Sequence, residues 1–426
     1  MASSLLSFSL YLFISFAHAQ RPASYSNNPP PHYSHPSCCD KHNIGYNPIL
    51  AANQAKRLST HSWEYGTTAE ALLELYNPHL SVFSRTAFPN NHLPIPDPDT
   101  IESLRYARQH IRLNSPTLID GGGATGDPAS LGVSALLIGQ SIPAYNASAT
   151  RQLEYLLNPL TTPRLPNGAF SHREAYPAAW ADFISMAPPF MAYYAVATQN
   201  DSYIRAAIGQ CLFYRQILKP NDTESDAWQH ILFGPRAQQD PGRWSTGNGW
   251  AAMGMARVLG TLVHWLVLAK LDDEKPRIAA GDLFLWIGEI VSAAMGQGVR
   301  GQNGLLRNYW DQEGWEGEIS GTALVSAAVY RAAVLQREAA VVFDGVRVEG
   351  SNYTRPITPA MLSWADQNRK VLAGHVNELG IGSPAVNPLD WKSRAYVDDG
   401  SPEGQAFLVM LYAAWRDCVV ASVCRE

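Results

Sequence analysis

The sequence predicts an all-α fold: an (α/α)6 toroid, an inner ring of helices wrapped by an outer ring. Three observations carry this. Apolar residues recur at helical spacing along most of the 426 residues, with little period-two alternation. A Gly- and Trp-rich turn followed by a helix crowded with small and apolar residues recurs six times. Between these segments lie helices with one polar face. A helix that is apolar all round is buried, whereas an amphipathic one faces water on one side. Six of each, alternating, make two concentric rings.

The inner segments read, in order, SWEYGTTAEALLELY (62–76), ATGDPASLGVSALLIGQ (124–140), AWADFISMAPPFMAYYAVATQ (179–199), WSTGNGWAAMGMARVLGTL (244–262), WEGEISGTALVSAAVYRAA (315–333) and DDGSPEGQAFLVMLYAAW (398–415). Successive starts lie roughly 55–85 residues apart, room for one helical hairpin plus loops at ~1.5 Å per residue. Outer helices are expected at DSYIRAAIGQCLFYRQIL (201–218) and RIAAGDLFLWIGEIVSAAM (277–295). The repeat runs almost end to end, so 45–426 is read as a single barrel domain.

Residues 1–19 end in Ala-His-Ala after a short apolar run and read as a secretory signal peptide, although the n-region lacks Lys and Arg. Residues 20–44, rich in Pro, Ser and Asn, read as an extended leader. No later window is expected to span a membrane, so a secreted, extracellular protein follows. Sequons at Asn146, Asn200, Asn221 and Asn352 fit that route. Of the five cysteines, Cys38 and Cys39 lie near one end and Cys418 and Cys424 near the other. End-to-end disulfides are expected, with Cys211 buried and unpaired. The net charge of −5 and the absence of a long basic run argue against nucleic acid as a partner.

In a toroid, the loops before the inner helices gather at one mouth. They contain Trp63, Tyr65, Trp180, Trp244, Trp250 and Trp315, which can stack on sugar C–H faces; alternatively they are core aromatics. Asp182 stands alone among Trp180, Phe183, Ile184, Met186 and Phe190. Apolar flanks raise a carboxyl pKa, as an acid catalyst requires. Alternatively Asp182 caps a helix or pairs with Arg173. Asp127 in GDPAS has the form of a helix cap that could also face the mouth. His172 and Arg173 could reach a substrate carboxylate. In WSTGNGW a Gly-Asn-Gly turn could let the backbone approach a ligand. Glu316 and Glu318 form a possible second carboxylate pair. No G-x-S-x-G elbow, P-loop or dinucleotide fingerprint occurs in a suitable setting.

SWEYGTTAEALLEL, DPASLG, WADFISMAPPFMAYY and WSTGNGWAAMGMARVL, in this order over roughly 45–415, resemble the unsaturated uronyl hydrolases of glycoside hydrolase families 105 and 88. More narrowly, the sequence resembles fungal secreted members, often labelled six-hairpin glycosidases. The resemblance implies an (α/α)6 barrel acting on oligosaccharides with a 4,5-unsaturated uronic acid at the non-reducing end. It implies Asp182 as the catalytic acid and Asp127 as its partner at the sugar hydroxyls. Trp244 becomes the stacking residue, with Trp63, Tyr65, His172, Arg173, Trp180, Met186, Asn248 and Trp250 around the substrate. It implies no metal or other cofactor. Many members carry Arg where Thr246 stands, so the carboxylate would need another partner, such as His172 or Arg173. The expected function is a secreted, monomeric hydrolase of pectin- or rhamnogalacturonan-derived unsaturated oligosaccharides. Another toroid carbohydrate enzyme, an inverting hydrolase or a polysaccharide lyase, and a non-catalytic sugar-binding toroid are the alternatives.

Overall fold

The computed structural model describes residues 42–221, 225–268, 274–343 and 357–426. The expected signal segment, nearly all of the leader, Cys38, Cys39 and Asn352 lie outside them. Within the unit Cys39–Glu426, outer and inner helices alternate along the chain. Outer α1 (Pro48–Leu58) leads to inner α2 (Ser62–Tyr76). Outer α3 (Glu102–Arg108) leads to a 3-10 turn (Asp127–Leu131) that runs into inner α4 (Gly132–Gly139). Outer α5 (Pro143–Leu157) leads to the inner pair α6 (Phe183–Met186) and α7 (Pro188–Thr198). The remaining hairpins are α8 (Ser202–Leu218) with α9 (Ser245–His264), α10 (Lys275–Ala294) with α11 (Ile319–Val342), and α12 (Pro359–Ala373) with α13 (Pro402–Val420).

The inner ring closes. α2 packs on the 3-10 turn, the turn on α6, α6 on α9, α9 on α11, α11 on α13, and α13 back on α2. Small residues permit this contact. A Cβ on Gly66 of α2 would lie 2.1 Å from the Ser130 hydroxyl, and one on Gly321 of α11 would lie 2.0 Å from that of Ser245. Every residue of α9 is buried, whereas α8 is buried only along one stripe. α11 is long and apolar enough to cross a membrane, contrary to the expectation that no later window would be. It is 94% buried as barrel wall.

Glu74, fully buried on α2, holds three inner helices together. It pairs with Arg257 of α9 and, at 2.8 Å, with Arg331 of α11. Arg416 of α13 donates to the Glu74 and Leu75 carbonyls, both at 2.8 Å.

The two ends of the described unit meet as the closed ring requires: α1 packs on α13, and His42 Nδ1 lies 2.8 Å from Glu426 Oε1. The disulfide nevertheless departs from expectation. Cys418 bonds Cys424 within the C-terminal segment rather than bridging the ends, because only six residues separate them at the end of α13. Cys211 is buried and unpaired as expected. The sequon at Asn146 is partly buried, its Nδ2 donating to the Gly139 carbonyl at 2.9 Å.

Two short strands escaped the sequence reading. β1 (Ala178–Trp180) pairs antiparallel with β2 (Ile231–Phe233), Trp180 opposite Ile231. Continuing the pairing, Ala181 N–H donates to the His230 carbonyl at 3.0 Å. This ties the loop carrying Asp182 to the loop carrying His230.

Candidate active site

The N-terminal ends of α2, the 3-10 turn, α6, α9 and α13 border one cleft of about 610 Å³. A helix N-terminus favours negative charge, and these ends bring three carboxyl groups to the cleft. Asp127 opens the 3-10 turn, Asp182 immediately precedes α6, and Glu403 lies in the first turn of α13.

Asp182 makes no capping hydrogen bond, so the cap alternative is not realised, nor is a pairing with Arg173. Its Oδ2 instead lies 3.3 Å from His230 Nε2. The two atoms are within ion-pair range without the alignment of a hydrogen bond. His230 Nδ1 lies 3.0 Å from Asp240 Oδ2. That oxygen also accepts from the Tyr309 hydroxyl and, at 3.0 Å, from Trp391 Nε1. Burial disfavours the imidazolium, but the two carboxylates outweigh it and hold His230 above its ordinary range. Burial likewise pushes Asp240 up, but the His230, Tyr309 and Lys392 contacts together keep it low.

Asp127 is buried. Burial first, and the charge of Asp182 second, push its carboxyl up to about 8, against the pull of Arg173. It does not act as the cap its sequence suggested: Gly126 occupies the cap position and Asp127 faces the cleft. The raised, proton-holding carboxyl expected from the sequence is therefore found at Asp127. Glu403 is also raised well above the ordinary range, by burial and then by Asp182, while accepting from Trp63 Nε1 at 2.7 Å.

Of the residues expected around a substrate, Trp63, Tyr65, His172, Arg173, Trp180, Met186 and Trp244 line this cleft together with Asp127 and Asp182. Trp244 is fixed by its Nε1–H to Asn308 Oδ1 at 2.8 Å and lies 4.3 Å from the His230 ring. His172 stacks on Trp180 at 4.9 Å. Burial drives its pKa down to about 3, so near neutral pH it can offer a hydrogen bond but no charge. Arg173 and Arg112 are the arginines lining the cleft.

Several expectations fail. WSTGNGW is not a Gly-Asn-Gly turn but the start of α9. Trp250 lies within α9, whereas Trp244 is the extended residue that precedes it. Trp250 points into the core, packing edge-on against Phe407 at 4.7 Å. Asn248 is buried and occupied: its Oδ1 accepts from Trp228 N–H, and its Nδ2 donates to the Trp228 and Trp244 carbonyls. It braces the site rather than touching a ligand. Thr246 is also buried, beside Glu318 and outside the cleft lining. An arginine at this position would meet Glu318 before any substrate. Glu318 caps α11, accepting from Ser320 and Gly321 N–H, while Glu316 is exposed; they do not form a carboxylate pair at the cleft. Trp315 is likewise turned away, its Nε1 donating to Gln312.

His230, Asp240, Trp391 and Glu403 were missed. Glu403 alone had a signal: GSPEGQ stands at the start of the sixth inner segment as GDPAS stands in the second.

Comparison with known proteins follows this geometry. Residues 134–274 match the model of Glycosyl Hydrolase Family 88. This segment, about a third of the chain, carries Asp182, His230, Asp240 and Trp244. No curated protein matches. Among solved structures, a family 105 glycoside hydrolase of C. acetobutylicum ATCC 824 is similar at TM-score 0.61 and 15% identity, over 86% of this chain and 98% of that one. A family 88 glycosyl hydrolase from Bacteroides vulgatus aligns at 0.55 and 14% identity, over 87% and 97%. An unsaturated glucuronyl hydrolase specific for heparin aligns at 0.55 and 11% identity, over 89% and 97%. At these identities the structures establish the shared toroid.

Proposed function

Starting from a glycoside hydrolase whose family 88 segment carries half of the cleft's acid machinery, we propose that this chain removes a 4,5-unsaturated uronyl unit from the non-reducing end of an oligosaccharide. One observation carries the reading: a proton-holding Asp127 and Asp182, the latter backed by the His230–Asp240 pair, line the same tryptophan-lined cleft. Asp127, pushed up to about 8 by burial and by the charge of Asp182, is the group that holds a proton near neutral pH.

That proton goes to C4 of the enol ether. Electron density from the ring oxygen stabilises the resulting cation at C5, and water adds there, losing its own proton to the carboxylate partner. The C5 hemiketal opens to a ketone, and the hemiacetal formed at C1 expels the leaving sugar. One water is consumed, and the catalyst recovers its proton. No nucleophile attacks C1, so the carboxylate-separation rule of ordinary glycosidases does not apply. His230 acts by holding Asp182 in place and balancing its charge. Trp180 and Trp244 offer the aromatic walls, and Arg173 and Arg112 the cations for the uronate.

We place the natural substrate among pectin-derived rhamnogalacturonan oligosaccharides, met outside the cell by a secreted monomer; the signal-like residues 1–19 support this. The test is a matched panel: lyase-generated unsaturated galacturonides and rhamnogalacturonides against their saturated counterparts. Release of the leaving sugar from the unsaturated members alone supports the reading. Release from saturated members, or from none, rejects it.

A further inference from the structure

A second hollow of about 330 Å³ adjoins the cleft. Arg173, Trp180, Leu389 and Trp391 line both spaces, so a chain leaving the cleft on this side passes directly into the hollow. We propose that this hollow is an outer subsite that receives the leaving portion of the substrate and prefers a negatively charged sugar unit there. The proposal rests on the uronide reading above for the direction of the chain.

Two features set the chemistry. The first is shape. Trp180 and Trp391 meet edge to face, with ring centroids 5.5 Å apart. They form an aromatic partition, of the kind sugar rings pack against, between the two spaces. The second is charge. The inner cleft carries Arg112 and Arg173 against Asp120, Asp127, Asp182 and Glu403. The outer hollow has Arg173 and Lys392 against Asp390, with Lys392 Nζ also 3.7 Å from Asp240 Oδ1 at the back of the cleft. Both cations have donors to spare. An Nη of Arg173 reaches the Gly122 carbonyl at 3.2 Å. Lys392 Nζ lies 3.4 Å from the Gln239 carbonyl, with its side chain 53% exposed. An acidic leaving unit thus meets the cations Arg173 and Lys392 in the hollow.

Gln238 gives a clean handle, because it lines the hollow, is exposed, and lies outside the cleft lining. The experiment compares two unsaturated uronyl disaccharides, one with a neutral and one with a uronic acid leaving unit, in wild type, Gln238→Glu and Gln238→Lys. The expected result is a lower wild-type KM for the acidic leaving unit. Gln238→Glu raises that KM and Gln238→Lys lowers it, each by roughly three- to tenfold at low salt. kcat and the neutral substrate stay unmoved, and the difference shrinks as salt shortens the screening length. Equal KM values for both substrates, or Gln238 variants that move both alike, overturn the proposal. If wild type turns over neither disaccharide, the uronide reading itself falls. The subsite is then judged by calorimetry with a saturated oligogalacturonide: weaker binding to Gln238→Glu than to Gln238→Lys supports it, and equal binding overturns it.

Discussion

His230 Nε2 stands 3.3 Å from Asp182 Oδ2, with the opposite ring nitrogen 3.0 Å from Asp240. A buried imidazole between two carboxylates keeps its proton to higher pH than a free one. Asp240→Asn removes one of those charges, so the His230 pKa falls. NMR titration of the imidazole measures this directly, and a His230 titration unchanged by the substitution contradicts the pairing. His230→Ala, which leaves Asp182 without its neighbour, lowers kcat by about 100-fold.

Asp127 gives a pH dependence whose sign follows from its raised pKa of about 8. Between the ordinary carboxylate range and pH 8, the unfolded chain has lost this proton while the folded chain keeps it. The folded state binds more protons, so this group's contribution to stability falls as pH rises across that window. Asp127→Asn removes the penalty. Relative to wild type it is more stable at pH 8 than at pH 4, as denaturant midpoints at the two pH values will register, while its turnover is lost. In wild type, kcat falls as pH rises through about 8.

Asn248 separates bracing from binding. Asn248→Ala orphans the buried N–H and carbonyl of Trp228, costing roughly 1–3 kcal/mol. Urea unfolding detects that loss. With folded protein assayed over a range of substrate concentrations, KM changes less than for Trp244→Ala, whose ring lines the cleft. A KM effect as large as that of Trp244→Ala would return Asn248 to the substrate.

Glu74 tests the ring rather than the site. Glu74→Gln leaves Arg257 buried without its ion-pair partner and Arg331 with Asp417 alone, costing about 3–5 kcal/mol. Equilibrium denaturation should report that drop, with kcat per folded molecule unchanged because Glu74 does not line the cleft.

The toroid was legible because its signal is local. Each inner helix, broken or whole, announces itself by a run of small and apolar residues, and α2 begins and ends where its repeat does. Asp182 stood out for the same reason, a lone charge among apolar neighbours. The rest of the site depends on tertiary contacts. His230 and Asp240 lie in an ordinary polar stretch until β1–β2 pairing brings them beside Asp182. Trp391 arrives from a loop more than 200 residues further along. Asn248 and Trp250 were misread because two glycines suggested a turn, whereas packing against Leu324 and other inner-ring neighbours makes the segment helical. The cysteine pairing was misread because adjacency of the chain ends, which is real, does not decide between partners.

The central claim is that the Asp127–Asp182 pair hydrates an enol ether. The most direct test follows the ultraviolet absorbance of an unsaturated uronyl disaccharide, whose conjugated double bond disappears on hydration, with wild type, Asp182→Asn and Asp127→Asn. The account predicts loss of the band with wild type in step with release of the leaving sugar, and a rate at least 100-fold slower in either variant. Release of the sugar with the band intact, or full activity in both variants, would contradict it.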